Sequence, residues 1–294
     1  MKTADIHIRD PFVLVHGGKY YLYGTSCDKN RDGAVGFDAY VGDDLENWDG
    51  PVEVFRAPAD FWATRDFWAP EVHAYKGSFY MFATFKSDDR HRGTQVLKAS
   101  SPLGPFLPHS AGPVTPEDWE CLDGTLYVDR AGRPYMVFCH EWTQVGNGEM
   151  CVSPLSDDLS RFTAPPRVLF RAHDFDFIRD VRESNPHTPS YGHEACYITD
   201  GPFLHRCENG DLLMLWSSFG EDGYLQSVLR SESGEIDGPW RPSSLLFTRD
   251  GGHGMLFRGL DGKLRLSLHR PNTGPLERAA FFAIAEENGA LFRQ

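Results

Sequence analysis

Five segments of the chain repeat one alternation of apolar and polar positions. They read DPFVLVHGGKYYLYGTS from Asp10, APEVHAYKGSFYMFATF from Ala69, DGTLYVDRAGRPYMVFCHEW from Asp123, DGPFLHRCENGDLLMLWSSFG from Asp200 and GHGMLFRGLDGKLRLSLHRPN from Gly252. Each holds a short apolar strand, a Gly-containing turn and a second strand, the signature of a β-hairpin. A further alternating stretch follows each hairpin, and in the first four repeats a polar or Pro-rich segment closes the unit, as in TQVLKASSPLGPFLPH. About four strands recurring every 40 to 60 residues or so is the spacing of propeller blades, which bury their sheet faces only against one another. The pattern therefore predicts an all-β, five-bladed β-propeller, one unit over residues 1–294 with blades beginning near 10, 69, 123, 200 and 252. Closure of the ring leaves no long exposed edge.

In a propeller the first strand of each blade lines the central channel, so the residues that open these strands point to one axial pocket. Those residues are Asp10, the segment Ala69-Pro70-Glu71, Asp123, Asp200 and His253. An Asp before Gly or Pro is ordinarily a turn residue. Three of them at matching places in a repeat point instead to carboxylates gathered in one pocket with an imidazole beside them. Like charges there repel and raise one another's pKa. The arrangement suits either a hard cation such as Ca²⁺ or the divided acid and base roles of glycoside hydrolysis.

Composition narrows the partners. The chain has 294 residues, 40% of them hydrophobic, with 29 Gly and 20 Pro, which fits a large core joined by many tight turns. Its formal net charge is −13, and without a polybasic stretch it would be repelled by a nucleic-acid backbone or an anionic membrane. No apolar run reaches the length of a membrane helix, and the start, MKTADIHIRD, lacks an apolar leader core, so a cytoplasmic protein is expected unless a leader has been removed. The six cysteines, Cys27, Cys121, Cys139, Cys151, Cys196 and Cys207, are scattered without C-x-x-C or zinc-ligand spacing and are expected to be buried thiols.

The motifs RDPFV with KYYLYGTS, FWAPEV with FYMF, LDGTLYVD with PYMVF, TDGPFLHR with LLMLWSS, and GHGMLF resemble, blade by blade, those of glycoside hydrolase family 43. The resemblance spans nearly the whole chain. It implies a five-bladed propeller enzyme of the arabinofuranosidase or xylosidase type acting on plant-type polysaccharides or oligosaccharides with inversion. Asp10 is then the general base, Asp123 tunes and orients the acid, and Asp200 is the acid where the family carries Glu. Asp is one methylene shorter, so Glu194 in YGHEACYITD stands as an alternative acid. His253 matches an axial histidine of the family; the resemblance implies no required cofactor and leaves room for an axial Ca²⁺ or other cation near His253.

Phe12, Trp68, Trp142 and Phe219 beside the inner-strand motifs offer flat faces for a sugar ring. His140, Glu141 and Arg270 follow the second strands of their blades, where polar groups can meet sugar hydroxyls. The polar insertion over residues 171–193 reads as a rim that narrows the pocket, favouring chain ends over internal cleavage. Two alternatives remain open here. Glu120 in WEC, with Asp10, resembles the acid and nucleophile of retaining fructan and sucrose hydrolases, and a non-catalytic carbohydrate-binding propeller fits a pocket that has lost its usual acid.

Overall fold

A computed structural model describes residues 1–26 and 35–294; Cys27 lies outside them. Twenty strands, β1–β20 in chain order, form five four-stranded antiparallel sheets, each built from consecutive strands. The sheets occupy residues 8–56 (β1–β4), 65–113 (β5–β8), 121–171 (β9–β12), 200–247 (β13–β16) and 252–293 (β17–β20). The molecule is a five-bladed β-propeller, with helix limited to short turns. Among the described residues no helix is long and apolar enough to cross a membrane.

Aromatic side chains fill the gaps between blades because flat sheets spaced around an axis leave wedges too wide for small residues. Phe37, Phe55, Phe67 and Phe85 pack between the first two blades, their ring centroids 5.0 to 6.4 Å apart. Between the third and fourth, Trp216 is fully buried against Phe170 and Phe175. The five described cysteines are free and buried, as expected for small apolar fillers.

Each innermost strand, β1 (Ile8–His16), β5 (Arg65–Tyr75), β9 (Cys121–Val128), β13 (Asp200–Arg206) and β17 (Gly252–Arg258), breaks register against its hairpin partner at the channel mouth. The residue that begins each break is left-handed: Asp10 at φ 54°, Ala69 at 44°, Asp123 at 55°, Gly201 at 47° and His253 at 51°. Such a bulge sets two residues opposite one and re-aims the strand. It also corrects the equivalence drawn from the repeat. Asp10, Asp123 and His253 occupy the bulge position, whereas Asp200 sits one residue earlier, in register with Arg9, Trp68 and Leu122.

The bulges are clasped from one blade to the next. The backbone N–H of Ala69 donates to Thr25 Oγ1 at 2.7 Å, that of Asp123 to Thr84 Oγ1 at 2.9 Å, that of His253 to Ser217 Oγ at 2.7 Å, and that of Asp10 to His269 Nδ1 at 3.3 Å. Each acceptor belongs to the second strand of the preceding blade. Between the third and fourth blades that place is held by Cys139, and the N–H of Gly201 donates instead to Asp123 Oδ2 at 3.1 Å. The last blade is completed by C-terminal strands alone, so first and last blades meet without sharing a sheet.

Candidate active site

The mouth of the channel opens into a cavity of about 460 Å³ lined by Arg9, Asp10, Thr25, Trp68, Leu122, Asp123, Glu141, Trp142, Ile198, Thr199, Asp200, His253 and Glu277. The three aspartates converge on one imidazole nitrogen. His253 Nδ1 lies 3.1 Å from Asp10 Oδ1, 3.6 Å from Asp200 Oδ1 and 3.7 Å from Asp123 Oδ2. Asp10 and Asp123 are 6% and 5% exposed, and the Asp200 side chain 15%.

Electrostatics divides these groups. Burial works against charge on His253, but the carboxylates of Asp10, Asp123 and Asp200 outweigh it and push the imidazole up to about 10, so it is a cation at neutral pH. Burial pushes Asp123 well above the usual carboxylate range, and repulsion from Asp200 adds to this against the pull of His253. Burial would raise Asp200 as well. Hydrogen bonds from Asp123 and His253 and the charge of Arg9 instead hold it well below the ordinary range. The two carboxyls are thus driven apart, Asp123 towards its neutral form and Asp200 towards its ionised one, with a side-chain hydrogen bond between them. Buried Tyr224, its hydroxyl kept protonated, also donates to Asp200 Oδ2.

Arg9 joins base side to acid side. Its Nε is 3.3 Å from Asp10 Oδ1 and one terminal nitrogen is 3.9 Å from Asp200 Oδ2, while the other donates to Glu277 Oε1 at 2.9 Å and Asn272 Oδ1 at 2.8 Å. Thr25 Oγ1 donates to Asp10 Oδ2 at 2.8 Å. Asp10 Oδ1 has no hydrogen-bond partner of good geometry among the described residues. That oxygen keeps its acceptor capacity beside two cations, Arg9 and His253. His269, beside Asp10 at 3.5 Å, is pushed down to about 3 by burial and by Arg9, so it stays neutral.

Other expected wall residues divide. Trp68, Glu141 and Trp142 line the cavity. Arg92 lies 4.5 Å over the Trp68 ring and pairs with both Asp66, at 2.8 Å, and Glu141, fixing that wall. Phe12 does not reach the cavity. The bulge at Asp10 and Pro11 turns it downward, where it packs edge-on against His73 and Phe203. His140 is buried, stacked on Trp119 at 4.2 Å and hydrogen-bonded to Glu149 and Gln144. Phe219 packs on Tyr224, outside the lining. Arg270 lies over Phe247 at 5.7 Å and faces a different cavity, because it follows His269 by one residue and alternation sends it to the opposite face.

Glu194 is also outside the site. It is exposed on an irregular segment rather than on an extension of β13, and its carbonyl accepts from Arg182. Glu120 belongs to another cavity, where Lys86 at 2.7 Å, His91 at 2.9 Å and the N–H of Arg92 outweigh burial and hold its carboxyl at about 2. It does not line the cavity of the aspartates, and its lowered carboxyl keeps no proton to donate near neutral pH. No residue of the insertion 171–193 lines the cavity; Tyr191 touches Trp142 edge-on at 5.5 Å, so its influence is indirect.

A ring of blades whose mouth holds paired carboxylates, a fixed cation and indole walls defines a propeller glycoside hydrolase. Residues 4–283 match Glycosyl hydrolases family 43, and the chain belongs to that family. It is 36% identical to a solved structure titled an endo-arabinase from Bacteroides thetaiotaomicron, covering 99% of this chain and 98% of that one with a TM-score of 0.89. A second solved structure, titled an endo-1,4-beta-xylanase from the same organism, is 22% identical over 100% of this chain and 96% of that one, with a TM-score of 0.78, and shows likeness of fold. A curated Bacteroides ovatus protein called xylosidase/arabinosidase is 28% identical over 141 residues, 42% of this chain and 42% of that protein's length.

Proposed function

We propose that this hydrolase cleaves arabinofuranosyl or xylosyl linkages of plant-type polysaccharides with inversion, arabinan chains being the first choice. The observation that carries the mechanism is the convergence of Asp10, Asp123 and Asp200 on one His253 nitrogen at the cavity mouth. The substrate follows from the 36% identical structure titled an endo-arabinase. The insertion does not line the cavity, so the argument for chain-end cleavage loses its basis. Product sizes from linear arabinan report the mode, single sugars for chain-end attack and mixed oligomers for internal attack.

In this reading Asp10 takes a proton from water as the oxygen attacks the anomeric carbon. The bond to the leaving oxygen breaks, and that oxygen takes a proton from Asp200, which Asp123 supplies through the hydrogen bond they share. Solvent then restores the proton to the pair and removes the one on Asp10. Arg9 and His253 hold the carboxylates in place without changing charge. Asp10 and Asp200 reach the same nitrogen, so their nearest oxygens are no more than about 7 Å apart, a bound that admits both the separation of inverting pairs and the closer one of retaining pairs. A hard cation fits this ring of carboxylates only if it supplies the charge that the imidazolium now provides; activity after chelation and after Ca²⁺ addition tests that separate expectation.

NMR of the first-formed anomer tests inversion directly. Asp200→Ala is expected to slow substrates with poor leaving groups far more than activated aryl glycosides, which depart without a proton. An equal effect on both would remove Asp200 as the donor. Binding of oligosaccharide by the wild type without cleavage would favour a binding propeller.

A further inference from the structure

Between the fourth and fifth blades, at the end of β13 remote from the cavity, three side chains of different ligand chemistry meet. His205 and Cys207 stand two residues apart, which on an extended chain places both on one side. Glu286 comes from β19 (Arg278–Glu287) of the neighbouring blade. One donor atom from each lies within 4.8 Å of the other two. His205 Nε2 is 2.8 Å from Glu286 Oε2, and Glu286 Oε1 is occupied by the N–H of Glu208 at 2.6 Å, so Oε2 is the oxygen turned to the centre. Outer bonds of this kind orient the carboxylates that ligate metals.

Cys207 is 3% exposed and free, whereas the His205 and Glu286 side chains are 14% and 12% exposed. Glu286 also lines a cavity of about 340 Å³, which gives an ion and a water a way in. Arg258 and Lys263 line the same cavity, and the Arg258 guanidinium pairs with Glu208 at 2.8 Å.

We propose that His205, Cys207 and Glu286 form a zinc site that ties the fourth blade to the fifth. Nitrogen, thiolate and carboxylate are the ligands Zn²⁺ takes in tetrahedral geometry, with the fourth place filled by water. Calcium and magnesium prefer all-oxygen sets. On binding, the Cys207 thiol gives its proton to solvent, and His205 ligates as the neutral imidazole through Nε2, with its ring proton on Nδ1. His205 is five residues from Asp200, roughly 16 Å along a strand, so the ion takes no part in hydrolysis. Because it binds the folded chain, it stabilises that state.

The test uses the full chain, stripped with chelator and titrated with Co²⁺ as a spectroscopic stand-in. One equivalent is expected to give a thiolate-to-cobalt charge-transfer band that Zn²⁺ bleaches. Cys207→Ser should abolish the band, and His205→Gln and Glu286→Gln should weaken Co²⁺ binding at least tenfold while turnover stays unchanged. Zn²⁺ should raise the Tm of the wild type but not of His205→Gln. Absence of the band in the wild type, or its survival in Cys207→Ser, overturns the proposal. Should Cys207→Ser not fold, undiminished Co²⁺ affinity in His205→Gln overturns it equally. Cobalt held by the aspartates at the mouth gives no thiolate band, so the two places are told apart.

Discussion

Four of the five seams between blades are closed by a neutral hydroxyl or imidazole, and the seam between the third and fourth is closed by a carboxyl. At the four, closing the ring and hydrolysing a sugar are tasks for different atoms. Asp10 contributes its backbone N–H to one seam and its carboxyl to the pocket. At the third seam Asp123 accepts from Gly201 with an oxygen of the same carboxyl that is hydrogen-bonded to Asp200. Where the repeat gives up its ordinary clasp, with Cys139 in place of a hydroxyl, the proposed acid chemistry occupies the space. A repeat thus marks its functional sector by the position at which it departs from its own rule.

The largest effect should come from Asp10→Asn, which removes the proposed base and leaves its seam intact. Asn tolerates the left-handed backbone that Asp10 adopts, so turnover should fall by about 10²- to 10⁴-fold with Tm nearly unchanged. Retained activity would remove Asp10 from the mechanism. Asp123→Asn tests the combined seam. Its amide oxygen can still accept from Gly201 but the side chain stores no acidic proton, so activity on poor leaving groups should drop by roughly a hundredfold. Chemical denaturation should show a smaller loss of stability alongside.

Thr84→Val makes the opposite cut. It keeps every carboxyl and strands the N–H of Asp123, which should cost about 1–3 kcal/mol of stability in urea unfolding. Cys139→Ser should restore nothing, because Gly201 already has its acceptor; a gain in stability would show that the third seam is merely a weaker copy of the others. The smallest effect is one of pH. The folded-state pKa of His253, about 10, lies above the ordinary histidine value, so its contribution is complete below about 6.5 and fades as pH rises towards 10. The Tm difference between wild type and His253→Gln should shrink over that range, and a constant difference would mean that the imidazole is not the cation described.

The repeat made the fold legible. Blade number, hairpin positions and the channel-facing role of Asp10, Asp123, Asp200 and His253 all followed from alternation. The finer site was hidden by the bulges, since a period of two fails where two residues oppose one. A strict period of two would set Phe12 on the side of Asp10 and Arg9 on the other. The bulge brings Arg9 and Asp10 into the cavity together and turns Phe12 into the core. Arg9 stands in the RDPFV motif as a cation adjoining the first aspartate, and it was not among the expected site residues. Tyr224, Glu277 and His269 come from other strands or blades, and nothing local in the chain relates them to Asp200 or Asp10.

The meeting of first and last blades has a mechanical side. No hydrogen-bonded ladder crosses that junction; it is held by side chains and single contacts, among them Ser267 to the Pro11 carbonyl at 2.8 Å, Arg278 to the Ala4 carbonyl at 2.7 Å and Arg9 to Glu277. No ladder crosses the other four seams either, but there the chain itself passes from one blade to the next. The ring therefore has a natural place to open, and Arg9 stands at it with one end in the latch and the other against Asp10 and Asp200. The side chain that helps to close the circle is thus one that also sets the spacing of the carboxylates.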